Sequence, residues 1–214
     1  LSVDVKICGV NTPESLRVAA DERARSVGFV FHPRSPRAVT PGIAADLSRL
    51  LPTTTGAVGL FVDAPDDFVA EVVKRTPLNL LQLHGEETPR RVAEIRARFG
   101  IPVMKAIRIA TAADLAVLGA YESAADWILF DAKPPPGVTA LPGGAGIAFD
   151  WRLLRGVRPA KPWMLAGGLT AANLADAVAA SGARAVDVSS GVEERPGVKS
   201  AERIREFMAA ARLL

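Results

Sequence analysis

The sequence predicts an α/β fold, a single-domain (β/α)8 TIM barrel over residues 1–214. Three observations carry that expectation. Short runs rich in β-branched residues alternate eight times with longer amphipathic stretches. The strand-like runs are apolar on both sides, as parallel strands covered by helices must be. Eight units in 214 residues leave about 27 residues each, near the minimum for a strand–helix crossover, which favours a closed barrel over an open sheet. No Gly-x-Gly-x-x-Gly fingerprint follows the first strand, which weighs against a dinucleotide-binding fold.

The first run, VDVKICGV, ends in the only cysteine of the chain, Cys8. TPESLRVAADERA then reads as a helix with Thr12 as N-cap, Pro13 in the first turn and Ser15 at the third position. SVGFVFH and GAVGLFVD are the second and third strands, ending at His32 and Asp63. NLLQLHG, the fourth, ends at His84, and the helix RRVAEIRARFG after it stops at Gly100. PVMKAIRI carries Arg108 at its end, and a helix opens on Thr111. DWILFDA ends at Asp131. PWMLAGG ends in Gly167-Gly168, before a helix that begins on Thr170 and stops at Gly182. AVDVSSG closes the series with Ser189-Ser190-Gly191.

One connection is out of proportion. KPPPGVTALPGGAGIAFDW, after the sixth strand, holds four prolines and four glycines before a helix can begin. On a face whose other loops are tight, such a segment reads as a lid or binding loop.

Composition excludes several classes. No apolar run reaches the ~18 residues of a membrane span, and the N-terminal residues carry neither a basic leader nor a long apolar core, so no secretory signal is expected. A lone cysteine cannot form an internal disulfide and suits a reducing, cytoplasmic setting. The net charge of +3 invites a nucleic-acid reading, but the basic residues are mixed with acids on helical faces and no basic run is interleaved with aromatics. The expected partner is a small phosphorylated substrate, with no nucleic acid and no membrane, in a monomer or homodimer.

In a barrel of this kind the loops after the strands converge on one face, and chemistry sits there. The strand ends carry Cys8, His32, Asp63, His84, Arg108, Asp131, Gly167-Gly168 and Ser189-Ser190-Gly191. Phosphate binding is the most legible function. LAGGLTAANL ends a strand in two glycines and starts a helix, and VDVSSGVE again offers small residues with backbone donors. Gly167, Gly168, Ser190 and Gly191 are therefore the candidate phosphate ligands. Cys8 across from Asp131 suggests acid–base work on a phosphorylated sugar. A base at Cys8 needs thiolate character, which Lys6, Arg37 or Arg108 could favour. An acid at Asp131 must hold a proton, through burial or a neighbouring negative charge.

KICGVNTPE, GFVFHPRSPRAV, VGLFVD, LQLHGEE, KAIRI, ILFDA, GGAG, LAGGLTAANL and VDVSSGVEERPGVKS together resemble phosphoribosylanthranilate isomerase, a (β/α)8 enzyme of tryptophan biosynthesis. FHPRSPRAV and LQLHG at their places on the second and fourth strands are the specific part. The resemblance implies an Amadori rearrangement of N-(5-phosphoribosyl)anthranilate to 1-(2-carboxyphenylamino)-1-deoxyribulose 5-phosphate, with no metal and no cofactor. It implies Asp131 as general acid, Cys8 as general base, and Arg37 against the anthranilate moiety. His84 and the Gly143-Gly144 pair would line the same mouth. Three positions depart from the family pattern: Ala145 stands where a threonine is usual, Ser200 replaces an acidic residue, and His32 replaces a frequent tyrosine.

Other phosphosugar enzymes on this scaffold fit less well. The isomerase of histidine biosynthesis uses an aspartate where this chain has Cys8, and ribulose-phosphate epimerase needs a metal site that two histidines without close ligand spacing make poorly. A phosphosugar-binding protein without chemistry would not need Cys8 and Asp131 together.

Overall fold

Eight short parallel strands pair in chain order and close on themselves. They are β1 (Asp4–Cys8), β2 (Ser26–Val30), β3 (Gly56–Phe61), β4 (Leu80–Leu83), β5 (Val103–Ile109), β6 (Trp127–Ala132), β7 (Trp163–Leu165) and β8 (Ala185–Val188), with β8 pairing back onto β1. The computed structural model describes residues 3–134, 146 and 148–214. The barrel is the one the periodicity predicts.

Successive side chains on a strand point to opposite faces, so each strand feeds two different interiors. Ile7, Phe29, Leu83, Phe130 and Val188 face outward and pack with Leu16, Ile95 and Phe207 of the helices in the main core. Met104, Ala106, Leu129, Met164, Ala166 and Ala185 form a separate cluster inside the barrel. Cys8, Val30 and Leu60 form a third. The same alternation turns Lys6, Gln82, His84, Asp131 and Asp187 inward.

The helices are α1 (Pro13–Asp21), α2 (Pro41–Ser48), α3 (Asp66–Arg75), α4 (Pro89–Phe99), α5 (Leu118–Ala124), α6 (Leu174–Ser181) and α7 (Ala201–Arg212). Three start on the same dipeptide. The hydroxyls of Thr12, Thr40 and Thr88 each accept from a backbone N–H three residues on, at 3.2 Å, with proline next in the chain. The proline needs no N–H partner at that position and fixes the entry angle. Gly100 and Gly182 end α4 and α6 in left-handed conformation, as expected.

Four local features differ from the sequence reading. The segment at Thr111 is a 3-10 helix (Ala112–Val117) leading into α5, although Thr111 and Asp114 cap one another as a box. Thr170 does not begin α6: it sits in a preceding turn, donating its N–H to Asn173 Oδ1 at 2.8 Å, and the helix starts at Leu174. The sixth crossover holds a single 3-10 turn (Trp151–Leu154) in place of a full helix among the described residues. A two-stranded hairpin, β9 (Glu193–Arg195) with β10 (Val198–Lys199), stands between β8 and α7. Ser200 keeps the cap that an acidic residue would make, its hydroxyl accepting from Arg203 N–H at 3.3 Å. Gly143, Gly144 and Ala145 lie outside the described residues.

Candidate active site

β1 and β8 lie side by side with Lys6 opposite Asp187, and both side chains turn into the barrel. The Lys6 ammonium is fully buried and donates to Asp187 Oδ1 at 2.8 Å. Cys8 is one inward step further up β1. A Cβ on Gly28 of β2 would lie 3.1 Å from Cys8 Sγ and 3.2 Å from Lys6 Nζ, so this glycine leaves the gap the two groups share. Burial pulls Lys6 down, but Asp187 and Cys8 outweigh it and hold the ammonium above its ordinary value. Burial pushes the Cys8 thiol up, Lys6 pulls it down and Asp187 pushes it up again. The net is a thiol above its ordinary range.

The hairpin after β8 brings a second buried charge group to the rim. Arg37, from the β2–α2 loop, donates through Nε and Nη2 to the two oxygens of Glu193, each at 2.7 Å. Such a fork fixes both planes. Lys199 donates to Glu193 Oε1 at 2.8 Å and to the Ser189 carbonyl at 2.9 Å, and Ser189 Oγ donates to the Cys8 carbonyl at 3.1 Å. Burial pushes Glu193 up, but Arg37 and Lys199 outweigh it and leave the carboxyl below its ordinary value. Burial wins at Lys199, which sits below the usual ammonium value despite Glu193. The cations acting on Cys8 are thus Lys6 and Lys199. Arg108 is turned aside, to Glu86 at 3.1 Å and the His84 carbonyl at 3.0 Å.

On the other side of the barrel, His84 and Asp131 meet. His84 Nε2 is 3.0 Å from Asp131 Oδ2, and His84 Nδ1 is 2.9 Å from Gln82 Nε2. Asp131 Oδ1 also accepts the Ala132 N–H at 2.8 Å. The turn that carries His84 is held by a buried carboxylate: Glu87 accepts the N–H groups of Asp63 and Gly85 and pairs with the Lys105 ammonium at 2.8 Å. Asp63, in left-handed conformation at φ 47°, accepts the Glu86 N–H at 2.7 Å. Asp63 therefore clasps one loop to the next.

The loops after β7 and β8 press together. Gly167 has φ +91°, and a Cβ there would lie 2.8 Å from Ala132 N and 3.2 Å from Asp131 Oδ1. Only glycine both adopts that backbone and leaves the Asp131 carboxylate its place. A Cβ on Gly191 would run into the Leu169 carbonyl oxygen, so Ser190-Gly191 packs backbone to backbone on the β7–α6 turn.

The family profile described as N-(5'phosphoribosyl)anthranilate (PRA) isomerase matches residues 5–210. The N-(5'-phosphoribosyl)anthranilate isomerase of Rhodospirillum centenum is 58% identical, with both chains covered in full. The phosphoribosyl anthranilate isomerase of Thermotoga maritima superposes with a TM-score of 0.88 at 35% identity, covering 99% of this chain and 100% of that one. A phosphoribosyl anthranilate isomerase solved with reduced 1-(o-carboxyphenylamino)-1-deoxyribulose 5-phosphate gives 0.85 at 34% identity, over 99% and 100%. The chain belongs to the phosphoribosylanthranilate isomerase family.

In this phosphoribosylanthranilate isomerase family member, the predicted residues fall into three groups round one rim. Cys8 stands with Lys6 and Asp187, Arg37 with Glu193 and Lys199, and His84 with Asp131 and Gln82. Gly167, Gly168, Ser190 and Gly191 lie half-buried between the first group and the third. Sequence reasoning did not single out Asp187, Glu193, Lys199 or Gln82. The inward period of β4 and β8 was the available signal for Gln82 and Asp187; nothing local marked Glu193. Among the described residues no three imidazole, thiol or carboxyl groups are placed to hold a metal ion, and no helix is long and apolar enough to cross a membrane.

Proposed function

We propose that the chain converts N-(5-phosphoribosyl)anthranilate to 1-(2-carboxyphenylamino)-1-deoxyribulose 5-phosphate in tryptophan biosynthesis, by general acid–base catalysis. The observation that carries this is the placing of an acid and a base candidate on inward rim positions of β6 and β1, in a chain that matches this isomerase family end to end.

In this reading Asp131 gives its proton to the furanose ring oxygen, and the ring opens to an imine. Cys8 then removes the proton from the adjacent carbon, giving an enolamine that tautomerises to the ketone. The thiol's own surroundings hold it above the ordinary range. A cationic imine beside it shifts that balance towards thiolate, the thiol proton leaving to solvent, so the base forms when there is a proton to remove. The backbone of Gly167, Gly168, Ser190 and Gly191 receives the phosphate, as the loops after the last two strands of such barrels often do. Arg37 faces the anthranilate carboxylate, which must share the guanidinium with Glu193.

The test is turnover followed by loss of anthranilate-type fluorescence, with substrate generated in situ, for wild type, Cys8→Ala and Asp131→Asn. The wild type should turn over, and each variant should fall by at least ~10²-fold. A folded wild type without turnover sinks the activity; a variant at wild-type rate sinks that residue's role.

A further inference from the structure

Arg37 is fixed along its whole length. Its stem lies over Gly9, the residue after Cys8: a Cβ on Gly9 would stand 2.6 Å from Arg37 Cδ and 3.1 Å from its Cβ and Cγ. The β9–β10 hairpin is seated on the residue before Arg37, where a Cβ on Gly197 would run into the Pro36 carbonyl oxygen. The same hairpin supplies Glu193, whose two oxygens accept from Nε and Nη2 of the guanidinium at 2.7 Å each. Arg37 and Glu193 are both almost wholly buried. Glu193 is itself held, its carbonyl accepting from Arg203 Nη1 and its carboxylate from Lys199 at 2.8 Å. Lys199 also meets the Ser189 carbonyl at 2.9 Å and Ser189 Oγ at 3.3 Å, and that hydroxyl gives its own proton to the Cys8 carbonyl. Three acceptors need three hydrogens, so Lys199 is an ammonium. Glu193 thus answers two cations, and the three groups together keep one positive charge at the rim.

We propose that Glu193 is a positioning residue for substrate selection: it fixes the plane of the Arg37 guanidinium, so that the site prefers a ligand with a carboxylate on its aromatic ring. A loose arginine loses rotamer freedom when it meets a ligand; one already fixed by a bidentate fork does not. Glu193 does not cancel the attraction for a second carboxylate, because Lys199 offsets its charge. That the selected carboxylate belongs to an anthranilate rests on the function proposed above; the fixing of Arg37 by Glu193 does not.

Two ligands test it by calorimetry: reduced 1-(o-carboxyphenylamino)-1-deoxyribulose 5-phosphate and its counterpart without the carboxyl group. The wild type should bind the first at least about tenfold more tightly than the second. Glu193→Gln should cut that preference below about threefold, with Kd for the second ligand changed less than about threefold. Arg37→Met should lose the preference too, and adding Glu193→Gln to it should change nothing further. Glu193→Asp, which keeps the charge on a shorter stem, should fall between wild type and Glu193→Gln. It decides by the same criteria if Glu193→Gln does not fold. No preference in the wild type overturns the proposal, as does a wild-type preference in folded Glu193→Gln or Arg37→Met. Equal weakening of both ligands in Glu193→Gln overturns it as well, because that is what a purely structural role would give. A wild type that shows the preference but turns over no phosphoribosylanthranilate sinks the function instead, and leaves the positioning of Arg37 in place.

Discussion

Lys6 and Asp187 are opposite one another in the β1–β8 register and joined by a 2.8 Å ion pair inside the barrel, so the strands that close the cylinder are also joined by charge. Removing one partner of such a pair strands the other in a poorly solvated place, at about 3–5 kcal/mol. Lys6→Met should lower unfolding stability on that scale in urea titrations at neutral pH. Because the Lys6 value is raised, its contribution is full below the ordinary lysine range and is lost only as pH climbs through the raised value. A variant as stable as wild type at pH 7 contradicts the assignment.

The same ammonium acts on Cys8. Alkylation by iodoacetamide should show a midpoint above the ordinary thiol value of about 8.5 in the wild type, because burial outweighs Lys6. In Lys6→Met the midpoint should move higher still. A midpoint near 7 in the wild type would contradict the burial argument.

Gly167→Ala places a methyl group 2.8 Å from Ala132 N and 3.2 Å from Asp131 Oδ1, at a φ of +91°. A loss of about 1–3 kcal/mol follows from the strained backbone. The displaced carboxylate should also lower kcat more than tenfold. Melting curves and single-turnover rates separate the two effects, and an unchanged rate would detach Asp131 from the chemistry.

Glu193 contributes stability in the opposite sense to Lys6. Its value is lowered, so the stabilisation is present above the ordinary carboxylate range and fades as pH falls through the lowered value. Glu193→Gln should therefore be less stable than wild type at pH 7, and the gap should narrow towards pH 3. A gap independent of pH would mean that packing, not charge, is what the variant loses.

Inorganic phosphate should raise the melting temperature. At a hundred times its Kd, a ligand of the native state alone adds about 2.7 kcal/mol. Hydrogen exchange should slow at residues 167–168 and 190–191 and not at the opposite end of the barrel. Stabilisation without that local protection would place the anion elsewhere.

The barrel was legible because strand and helix periods differ and their alternation recurs along the chain. Thr12-Pro13 and the glycines at 100 and 182 were legible because capping is local. What was hidden depends on closure. Lys6 and Asp187 are 181 residues apart and meet only once β8 reaches β1. Asp63 and Arg108 looked like rim groups from the sequence, and both are engaged in holding the His84 loop. Gln82 read as one more residue of a strand until the pleat turned it towards a histidine.

The barrel wall has a thin place. β5 and β6 share six registered pairs, whereas β7 and β8 share only Leu165 with Val186. Just beyond that narrow seam, the Gly191 backbone is seated on the Leu169 carbonyl. An anion held by both loops would span the seam like a staple across a tear, so the region of the wall with fewest rungs is the one a ligand can mend. Breathing of the cylinder and residence of the ligand would then be one motion, with the off-rate set by how often two short strands part.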